Sequence, residues 1–587
     1  MNLDDDQIDI IDLQTLDKKE FVASCRRFPP FARKKIIREV QYEASSAWMF
    51  YMGIGLDKQV LVLTNQFTTY PISLARVCSH VIIYGMSQKD KDIMDLLAKE
   101  NEIENYSCVN ELDSLATKFD LIVILGIEKM AGISASLAKI HKFIHPDTEI
   151  WTVAANTLSF GKLKAQIKSL IEKSDKNLKK NRDKNRLTWS VIKNVSTVRD
   201  IKFQFRKLGV KPFAFVGLAP SITRMIAAKP LNDSVSRLPK KYAFNFWQRF
   251  ATEDIAIGAA ERELTQSFLT KILDVLPNSQ LSRGEMKNFT VHPGGKVHVL
   301  ASFKSSSGDQ VVMIKLPLNK HAVKRAKVNQ MALKYVTSSE VESLKDRVPQ
   351  PLSEGLFENQ PYFAESFLDG QPIAEQPNFR RHAKVFAMQV FSFWLSVQRG
   401  FTKKMAVDQI VFDRLIGMPV SRALQFAQPE RRSKEFENRV CEYLKTSFLN
   451  KPFALSLIHG DFSSKNIMYD YRHERITGVI DWDMARLEAF PVLDAFHFFL
   501  HIRRTSRSDP KILTLLNIIE NDKLFRTVAG MYGDAFQFEP GVLKPLLIVY
   551  WAYRLAGHVG TIKYLDDGFV KRNYREPLQV IKKIINA

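Results

Sequence analysis

The segment from Leu457 to Asp494 constrains this chain more than any other. It reads LIHGDFSSKNIMYDYRHERITGVIDWDMARLEAFPVLD and contains three side chains with oxygen donors, Asp461, Asn466 and Asp481. Apolar residues lie on both sides of the polar stretch around Gly460, which predicts a short loop between two buried segments. The residues RITGVI predict a strand that ends immediately before Asp481.

These three side chains suit one kind of chemistry. The carboxylate of Asp461 can accept a proton from a substrate hydroxyl. The amide oxygen of Asn466 and the carboxylate of Asp481 are oxygen ligands of the kind that Mg2+ prefers. One base and two metal ligands predict a phosphoryl-transfer site, because this chemistry depends on positioning and charge neutralisation. Each residue alone is typical of an ordinary turn, but their order, spacing and flanking strands favour the site.

The pattern H-G-D-x-x-x-x-N followed by I-D-W-D resembles the catalytic and metal-binding loops of the aminoglycoside phosphotransferase and choline kinase family of kinase-like enzymes. The resemblance implies that Asp461 is the catalytic base and that His459 braces its loop. It also implies that Asn466 and Asp481 hold Mg2+ and that Asp483 supports them. The later segment FPVLDAFHFF resembles a structural segment of the same enzymes.

A glycine-containing hairpin and a lysine extend the same resemblance toward the amino terminus. The residues VHPGGKVHVLASF predict two strands joined by a turn with Gly294 and Gly295, whose backbone amides can lie over phosphates. The strand QVVMIKLPL carries Lys315 where kinase-like folds place the lysine that pairs with nucleotide phosphates. A simple hairpin and a surface lysine are the alternatives. The order of the motifs favours nucleotide binding.

The helix after Lys315 should supply a glutamate that orients this lysine, but Asn329 occupies the aligned position. Another acid, such as Glu285 or Glu340, could hold the lysine instead.

The segment from Val348 to Ile373 resembles the hinge into the larger lobe. By that resemblance, backbone groups from Glu365 to Leu368 would bond a purine. Phe363 and Phe367 would pack beside the purine or belong to the core.

The amino-terminal part alternates helical and strand patterns, which predicts a doubly wound parallel sheet. It resembles a class I S-adenosylmethionine methyltransferase, but Thr64, Gln66 and Thr68 replace the glycines of the cofactor loop. The acid expected after the second strand falls at Tyr84 and Gly85. We expect a methyltransferase-like scaffold that has lost cofactor binding, with retained methyl transfer as the alternative. Strands are predicted at 59–64, 80–85, 120–125 and 149–156, and helices at 33–52 and near 71–77, 90–100 and 131–143.

The predicted fold class is α/β plus α+β, a Rossmann-like doubly wound sheet followed by a two-lobed protein-kinase-like domain. The predicted domains are an arm (1–30), the Rossmann or methyltransferase-like domain with its closing segment (31–232), a connector (233–260), a small lobe (261–368) and a large lobe (369–587). Helices are predicted at 378–398 and 431–445 and after residue 511.

Composition restricts the partners. The net charge of +22 and the pI of about 9.6 favour an anionic ligand. The basic run from Lys162 to Arg186 has helical spacing and is interpreted as a solvated linker helix, and nucleic acid is an unlikely partner because no aromatic platform accompanies the run. The sequence contains neither a signal peptide nor an apolar run that could span a bilayer, so a cytoplasmic location is expected. Four scattered cysteines argue against a zinc site or a disulfide framework.

We therefore expect an ATP- and Mg2+-dependent phosphotransferase that acts on a hydroxyl of a small-molecule or glycan-type acceptor. A protein acceptor is disfavoured because no arginine precedes Asp461 and no activation-loop motif follows Asp481. Acids such as Asp534 and Glu539 could bind a cationic acceptor. A pseudokinase scaffold with an inactive methyltransferase-like domain and a bifunctional polysaccharide-modifying methyltransferase and kinase are the alternatives.

Overall fold

The fold is described from a computed structural model, in which the chain divides into two compact units. The amino-terminal unit comprises Arg38–Val323 and Ser353–Ala364, and the carboxy-terminal unit comprises Met1–Ile37, Lys324–Leu352 and Glu365–Ala587. The residues described are 43–65, 67–113, 118–125, 140–155, 211–218, 225–230, 254–260, 267–276, 284–292, 295–305, 308–376, 382–427, 434–503, 510–556 and 567–586, with Cys25, Pro29, Arg33, Ile36, Leu115 and Phe379.

An eight-stranded sheet is the centre of the amino-terminal unit. Its strand order is β3-β2-β1-β4-β5-β8-β6-β7. The first five strands pair in parallel, and β8 pairs antiparallel with both β5 and β6. Residues 60–63 of β1 and all residues of β4 are apolar, because parallel sheets are covered on both faces. The strands are Gln59–Thr64 (β1), His80–Tyr84 (β2), Tyr106–Val109 (β3), Leu121–Leu125 (β4), Glu149–Ala155 (β5), Lys211–Leu218 (β6), Met225–Pro230 (β7) and Asp254–Ala260 (β8).

This sheet confirms the Rossmann-like fold class and the four predicted strands. Helices Tyr70–Ala75 (α1) and Gln88–Glu100 (α2) confirm two helical predictions, and Ser87 caps α2 by accepting the N–H of Asp90 at 3.3 Å. The prediction of an α-helix up to residue 52 was wrong at its end, where Glu43–Tyr51 forms a 3₁₀ helix. The predicted helix at 131–143 and the basic run lie mostly or wholly outside the described residues.

A second sheet, with the order β12-β13-β11-β10-β9, contains the predicted glycine hairpin. Val297 and Val299 on β10 pair with Leu316 and Ile314 on β11, and these four side chains are buried on one face. The preceding helix Phe268–Val275 (α3) packs against the 3₁₀ helix, with the rings of Phe268 and Phe50 5.1 Å apart. The strands are Glu285–His292 (β9), Lys296–Ser305 (β10), Gly308–Pro317 (β11), Pro351–Phe357 (β12) and Gln360–Ser366 (β13).

The carboxy-terminal unit is mainly helical, with two small sheets of order β14-β17-β18 and β15-β16-β19. A π-helical turn, Asp413–Gly417, joins α6 to α7. None of the described helices is both long and apolar enough to span a membrane. The strands are Gln371–Pro372 (β14), Lys403–Ala406 (β15), Pro452–Ile458 (β16), Ile467–Asp470 (β17), Arg475–Val479 (β18) and Arg486–Ala489 (β19). The helices are Lys320–Thr337 (α4), Ala383–Gly400 (α5), Gln409–Phe412 (α6), Met418–Ala427 (α7), Lys434–Phe448 (α8), Val492–Arg503 (α9), Lys511–Asn521 (α10), Lys523–Phe536 (α11), Leu543–Ala556 (α12), Asp567–Val570 (α13) and Glu576–Asn586 (α14).

Aromatic residues fill the core of this unit beneath the predicted catalytic loop. The ring of Trp394 on α5 stacks on Phe462 at 4.4 Å and lies 5.8 Å from Trp482. All three side chains are fully buried, and burial of a side chain of this size contributes about 1.5–3 kcal/mol. Two of these residues belong to the HGDF and IDWD motifs, so core packing fixes both loops. The domain boundaries stay a prediction, although β8 lies within the segment predicted to be a connector.

Candidate active site

The loop that carries Asp461 leaves β16 through Gly460, which a larger residue could replace only if the neighbouring backbone moved. Gly460 has a φ of +75°, and a Cβ atom at this position would lie 2.0 Å from the carbonyl oxygen of Met484. The loop is therefore packed directly against the segment that follows Asp481.

His459 connects this loop to the end of β18. The ring is fully buried, with Nε2 2.9 Å from the carbonyl oxygen of Ile480. Its Nδ1 accepts the backbone N–H of Asp461 at 3.3 Å. Because a carbonyl oxygen can only accept, Nε2 donates its N–H to Ile480. The imidazole thus holds the two loops together.

Asp494 on α9 holds the same loop from the core. Its carboxylate accepts the N–H groups of His459 at 2.8 Å, Gly460 at 2.9 Å and the indole of Trp394 at 3.0 Å. Burial raises the pKa of Asp494 to about 6, although these donors oppose the rise. The sequence had assigned this segment a structural role, and the contacts agree with that role.

Ile480 brings Asp481 beside the other predicted metal ligand. The Ile480 N–H donates to the carbonyl oxygen of Asn466 at 2.9 Å, while its carbonyl accepts from His459. Asp481 itself has a φ of +64°, a left-handed conformation that costs an L-residue roughly 1–2 kcal/mol. Such strain persists where neighbouring contacts fix the backbone, and it is common at functional sites.

Asn466 also contacts the predicted base. Its Nδ2 donates to the carbonyl oxygen of Asp461 at 2.9 Å and to Oδ2 of the same residue at 3.3 Å. The amide nitrogen is thereby turned toward Asp461, which leaves Oδ1 of Asn466 as the atom suited to a metal. Hydrogen bonds therefore connect the predicted base, Asp461, to the predicted metal ligand Asn466.

Two residues that the sequence did not single out contact the carboxylate of Asp461. Nη1 of Arg554 on α12 lies 3.2 Å from Oδ1 of Asp461 and donates to the carbonyl oxygen of Gly460 at 2.9 Å. Nε2 of His497 on α9 lies 3.0 Å from the same Oδ1. Burial alone would raise the pKa of Asp461, but His497 and Arg554 together hold it well below its usual range. Asp461 is therefore ionised at every physiological pH.

His497 is neutral in this arrangement. Burial, with the charge of Arg554, lowers the pKa of His497 to about 3 against the opposing effect of Asp461. Nδ1 of His497 lies 2.7 Å from the hydroxyl of Tyr550, and burial raises the pKa of that hydroxyl. Because the ionised carboxylate of Asp461 can only accept, the proton of the neutral His497 ring lies on Nε2, 3.0 Å from Oδ1 of Asp461, and the Tyr550 hydroxyl donates to Nδ1.

Helix α4 is attached to the Asp481 segment by Asn329, the residue found where a glutamate was expected. Its Nδ2 donates to Oε2 of Glu365 at 2.8 Å, and its Oδ1 accepts the backbone N–H of Trp482 at 2.9 Å. One turn earlier, Arg325 pairs with the buried carboxylate of Asp483 at 2.5 Å. Two successive turns of α4 thus fix the residues that follow Asp481.

The predicted nucleotide-binding residues are placed as follows. Lys315 is buried on β11, opposite His298 on β10. Gly295 lies in the hairpin turn, whereas Gly294 lies outside the described residues. Of the two acids considered as partners of Lys315, Glu285 pairs with Lys287 at 2.8 Å and Glu340 is exposed.

The predicted hinge residues differ in exposure. Glu365 is buried and accepts from Asn329, Phe363 is buried, and the side chain of Phe367 is 38% exposed. Phe363 therefore packs in the core, while Phe367 has free surface that a ligand could cover. Their predicted contacts with a purine stay predictions.

The residues at the carboxyl ends of β1 and β2 leave little room near the backbone. Thr64 is fully buried, and a Cβ atom at Gly85 would lie 2.9 Å from its carbonyl oxygen. Phe67 is also buried, while Gln66 lies outside the described residues. A cofactor loop needs a close backbone approach, which these side chains disfavour.

Arg554 and His497 could have been noticed in the sequence, although nothing there assigns their contacts. Arg554 is the one charged residue in the run PLLIVYWAYRLAG, and His497 follows Asp494 by three residues on the apolar helix α9. A charged or titratable side chain in a helix that is otherwise buried needs a buried partner. The identity of that partner depends on tertiary contacts.

Comparisons with known proteins give a family match for part of this chain. Residues 308–510 match the family model described as the phosphotransferase enzyme family. No curated protein matches the chain.

Several solved structures are similar at low identity. A type VIII aminoglycoside-3'-phosphotransferase is 16% identical, covers 44% of this chain and 88% of its own, and has a TM-score of 0.28. The aminoglycoside phosphotransferase APH(3'')-Id from Streptomyces rimosus is 12% identical, covers 46% of this chain and 92% of its own, and has a TM-score of 0.28. A methyltransferase from Thermotoga maritima, described as S-adenosylmethionine-dependent, is 13% identical, covers 42% of this chain and 98% of its own, and has a TM-score of 0.25. The family match confirms, over residues 308–510, the resemblance recognised from the HGDFSSKN and IDWD motifs.

Proposed function

We propose that this protein transfers the γ-phosphoryl group of ATP to a hydroxyl of a small-molecule or glycan-type acceptor. The observation that supports the proposal is the double hydrogen bonding of the Ile480 backbone, to His459 and to Asn466, which connects the loop of Asp461 and Asn466 to the residue before Asp481. Phosphoryl transfer requires a positioned acceptor and bound metal, and these three residues would supply a base and two metal ligands. ATP as donor would place the reaction in the cytoplasm.

Asp461 would position and deprotonate the acceptor. The acceptor hydroxyl donates a hydrogen bond to the ionised carboxylate, and its oxygen forms a bond to the γ-phosphorus as the bond to the bridging oxygen of ADP breaks. The hydroxyl proton passes to Asp461 and then to water, while ADP leaves with the electron pair of the broken bond. A carboxylate with so low a pKa is a weak base, so its main contribution is orientation, as a loose transition state allows.

The residues present fit Mg2+. Asn466 Oδ1 and the Asp481 carboxylate are hard oxygen donors, and Mg2+ usually takes one or two protein ligands and fills its other positions with phosphates and water. When bound, the ion would neutralise charge on the phosphates. Lys315 would pair with the nucleotide phosphates, and Gly294, Gly295, Glu365 and Phe367 would complete the nucleotide contacts. The two hydrogen bonds of Asn329 support an active enzyme over a pseudokinase, because they hold the segment next to Asp481.

Calorimetric titration of ATP with and without Mg2+ tests the proposal. Wild-type protein should bind ATP more tightly with Mg2+, and Asp481→Ala should lose this metal-dependent gain because one of two protein ligands is removed. Asp470→Ala is a matched control, because Asp470 is bound by Arg472 and His473 at the end of β17. An unchanged Mg2+ effect in Asp481→Ala would contradict the metal assignment.

A further inference from the structure

The hairpin of β9 and β10 places two histidines on the same sheet face as Lys315. In the antiparallel ladder, His298 on β10 lies opposite Lys315 on β11. His292, the last residue of β9, lies opposite Lys296, the first residue of β10. Residues directly opposite each other share a face of the sheet, and so do alternate residues of one strand. The four basic side chains therefore lie on one face.

This face is reached by solvent, whereas the other face is packed. Val297 and Val299 alternate with the basic residues of β10, and both are fully buried on the opposite face. The two histidines and Lys296 are half-buried, and Lys315 between the strands keeps 8% exposure. A ligand can therefore approach the basic side chains from the face that the core does not cover.

The two histidine rings pack against each other beside the glycine turn. The ring centroids of His292 and His298 lie 4.3 Å apart, and the ring planes are inclined by 49°. The turn between the strands is also held, because the N–H of Leu318 donates to the carbonyl oxygen of Gly295 at 2.7 Å. Groups that are ordered before binding lose less conformational entropy when a ligand arrives. The hairpin thus presents its donors in a fixed arrangement.

The acids of these three strands lie at the other end of the hairpin. Glu285 on β9 is opposite Ser302, and Asp309 on β11 is opposite Lys304. The end next to the turn carries two lysines and two histidines instead. Ammonium groups and imidazole N–H groups donate hydrogen bonds to anionic oxygens. Several donors along one face suit a ligand with several anionic oxygens in a row, which is the chemistry of a phosphate chain.

On the basis of the proposed function, we infer that His298 binds the phosphate chain of the nucleotide beside Lys315, by donating an N–H to a phosphate oxygen. His292 holds the ring of His298 in position by packing, and Lys296 adds a positive charge next to the turn. These side chains recognise the phosphate chain and not the base. Their contribution should therefore be measurable with a phosphate chain that carries no nucleoside.

The experiment uses full-length protein in EDTA without Mg2+, so that the predicted metal ligands do not contribute. Tripolyphosphate, ATP and adenosine are titrated by calorimetry. His298→Ala should weaken tripolyphosphate and ATP binding about tenfold and adenosine binding less than twofold. His298→Phe should lose as much, because phenylalanine keeps the packing on His292 but has no N–H. The matched control is His141→Ala, an exposed histidine between β4 and β5, which should change each affinity less than twofold.

The outcomes separate this inference from the proposed function. Equal tripolyphosphate affinity in His298→Ala and His141→Ala, or no tripolyphosphate binding by the wild type, would overturn the phosphate contact even if the protein consumes ATP. Full affinity in His298→Phe would show that the ring acts by packing alone, and equal losses for ATP and adenosine would assign it to the base. Either result contradicts the inference. His298-dependent tripolyphosphate binding in a protein without Asp461-dependent ATP turnover would support the phosphate site and contradict the kinase.

Discussion

Asp461 shares its carboxylate among Asn466, Arg554 and His497, so its replacement affects more than proton transfer. Asp461→Asn should lower turnover about 10²- to 10⁴-fold, because an amide neither orients the acceptor hydroxyl nor accepts its proton as the carboxylate does. Binding of ATP with Mg2+ should nearly persist, since no assigned metal ligand is removed. The measurement is acceptor-independent ATP hydrolysis together with calorimetric ATP binding, with Asp470→Asn as control.

Equal hydrolysis by wild type and Asp461→Asn, in protein that still binds ATP, would remove Asp461 from the catalytic residues. Loss of ATP binding in this variant would instead show that the hydrogen bond from Asn466 couples the base to the metal site. An amide at position 461 can face the Nδ2 of Asn466 with its own N–H₂, which is repulsive.

The pKa of Asp494, raised to about 6, predicts a pH dependence at the residue scale. Above this pH the ionised carboxylate accepts the N–H groups of His459 and Gly460, and below it protonation weakens these bonds. ATP hydrolysis should therefore fall as the pH drops below about 6. Asp461 does not cause this fall, because its pKa lies well below the range tested.

The free energy of unfolding should depend on pH in the opposite direction to ATP hydrolysis. The folded pKa of Asp494 exceeds its ordinary value, so the fold favours the protonated form and the free energy of unfolding decreases as the pH rises through about 6. Asp494→Asn should be less active at pH 8, because one acceptor oxygen is lost, and its activity should no longer fall below pH 6. A pH–rate profile from pH 5 to 8 checks both, and an unchanged acid limb in the variant would refute the assignment.

The sequence predicted the residues of the loops themselves but not those that reach them from distant helices. His459, Asp461, Asn466 and Asp481 belong to one local pattern whose spacing reflects a single turn and strand. Arg554 lies 93 residues after Asp461, and Asn329 lies 153 residues before Trp482. Such contacts depend on helix packing, which no local periodicity encodes.

At the scale of elements, α4 holds the Asp481 segment through Asn329. Asn329→Leu should remove the hydrogen bond to the buried Glu365 and leave the Trp482 N–H without its acceptor, and an unsatisfied buried donor costs about 1–3 kcal/mol. Because Trp482 follows Asp481, the Mg2+ concentration for half-maximal ATP hydrolysis should rise about tenfold. Mg2+ titrations of ATP hydrolysis measure this, with the exposed Lys327→Leu on the same helix as control.

A purely structural role for Asn329 would lower thermal stability while leaving the half-maximal Mg2+ concentration unchanged, and that result would reject the positioning role. Asn329→Gln keeps both the donor and the acceptor, so partial rescue of Mg2+ affinity is expected. No rescue together with normal stability would also count against the role.

Elements with strong patterns were predictable, and those whose partners are distant were not. Strands β1 and β4 read as continuous apolar runs because both of their faces are covered. Strand β3 has only four residues of intermediate exposure, so its signal is weak. Of the eight strands in the first sheet, β8 is the last in sequence, but it lies between β5 and β6. Chain order does not determine such an insertion.

At the scale of the whole molecule, the two predicted halves retain different amounts of their expected chemistry. The chain carries 85 Lys and Arg residues and 63 Asp and Glu residues, which gives a net charge of +22. The residues matched to the phosphotransferase family retain the predicted base and the predicted metal ligands, whereas the residues after β1 lack the glycines expected of a cofactor turn. Scaffold and motif therefore have to be judged separately.

The last prediction concerns that sheet. Full-length protein should bind S-adenosylmethionine weakly or not at all, because Thr64 and Thr68 replace glycines and Phe67 is buried where the cofactor loop would lie. Calorimetric titration of S-adenosylmethionine measures this, and a parallel titration of ATP with Mg2+ in the same preparation shows that the protein is competent to bind a ligand. A micromolar affinity for S-adenosylmethionine would refute the loss of the site and favour the bifunctional methyltransferase and kinase. An absence of binding, beside normal ATP binding, would assign this sheet a structural role.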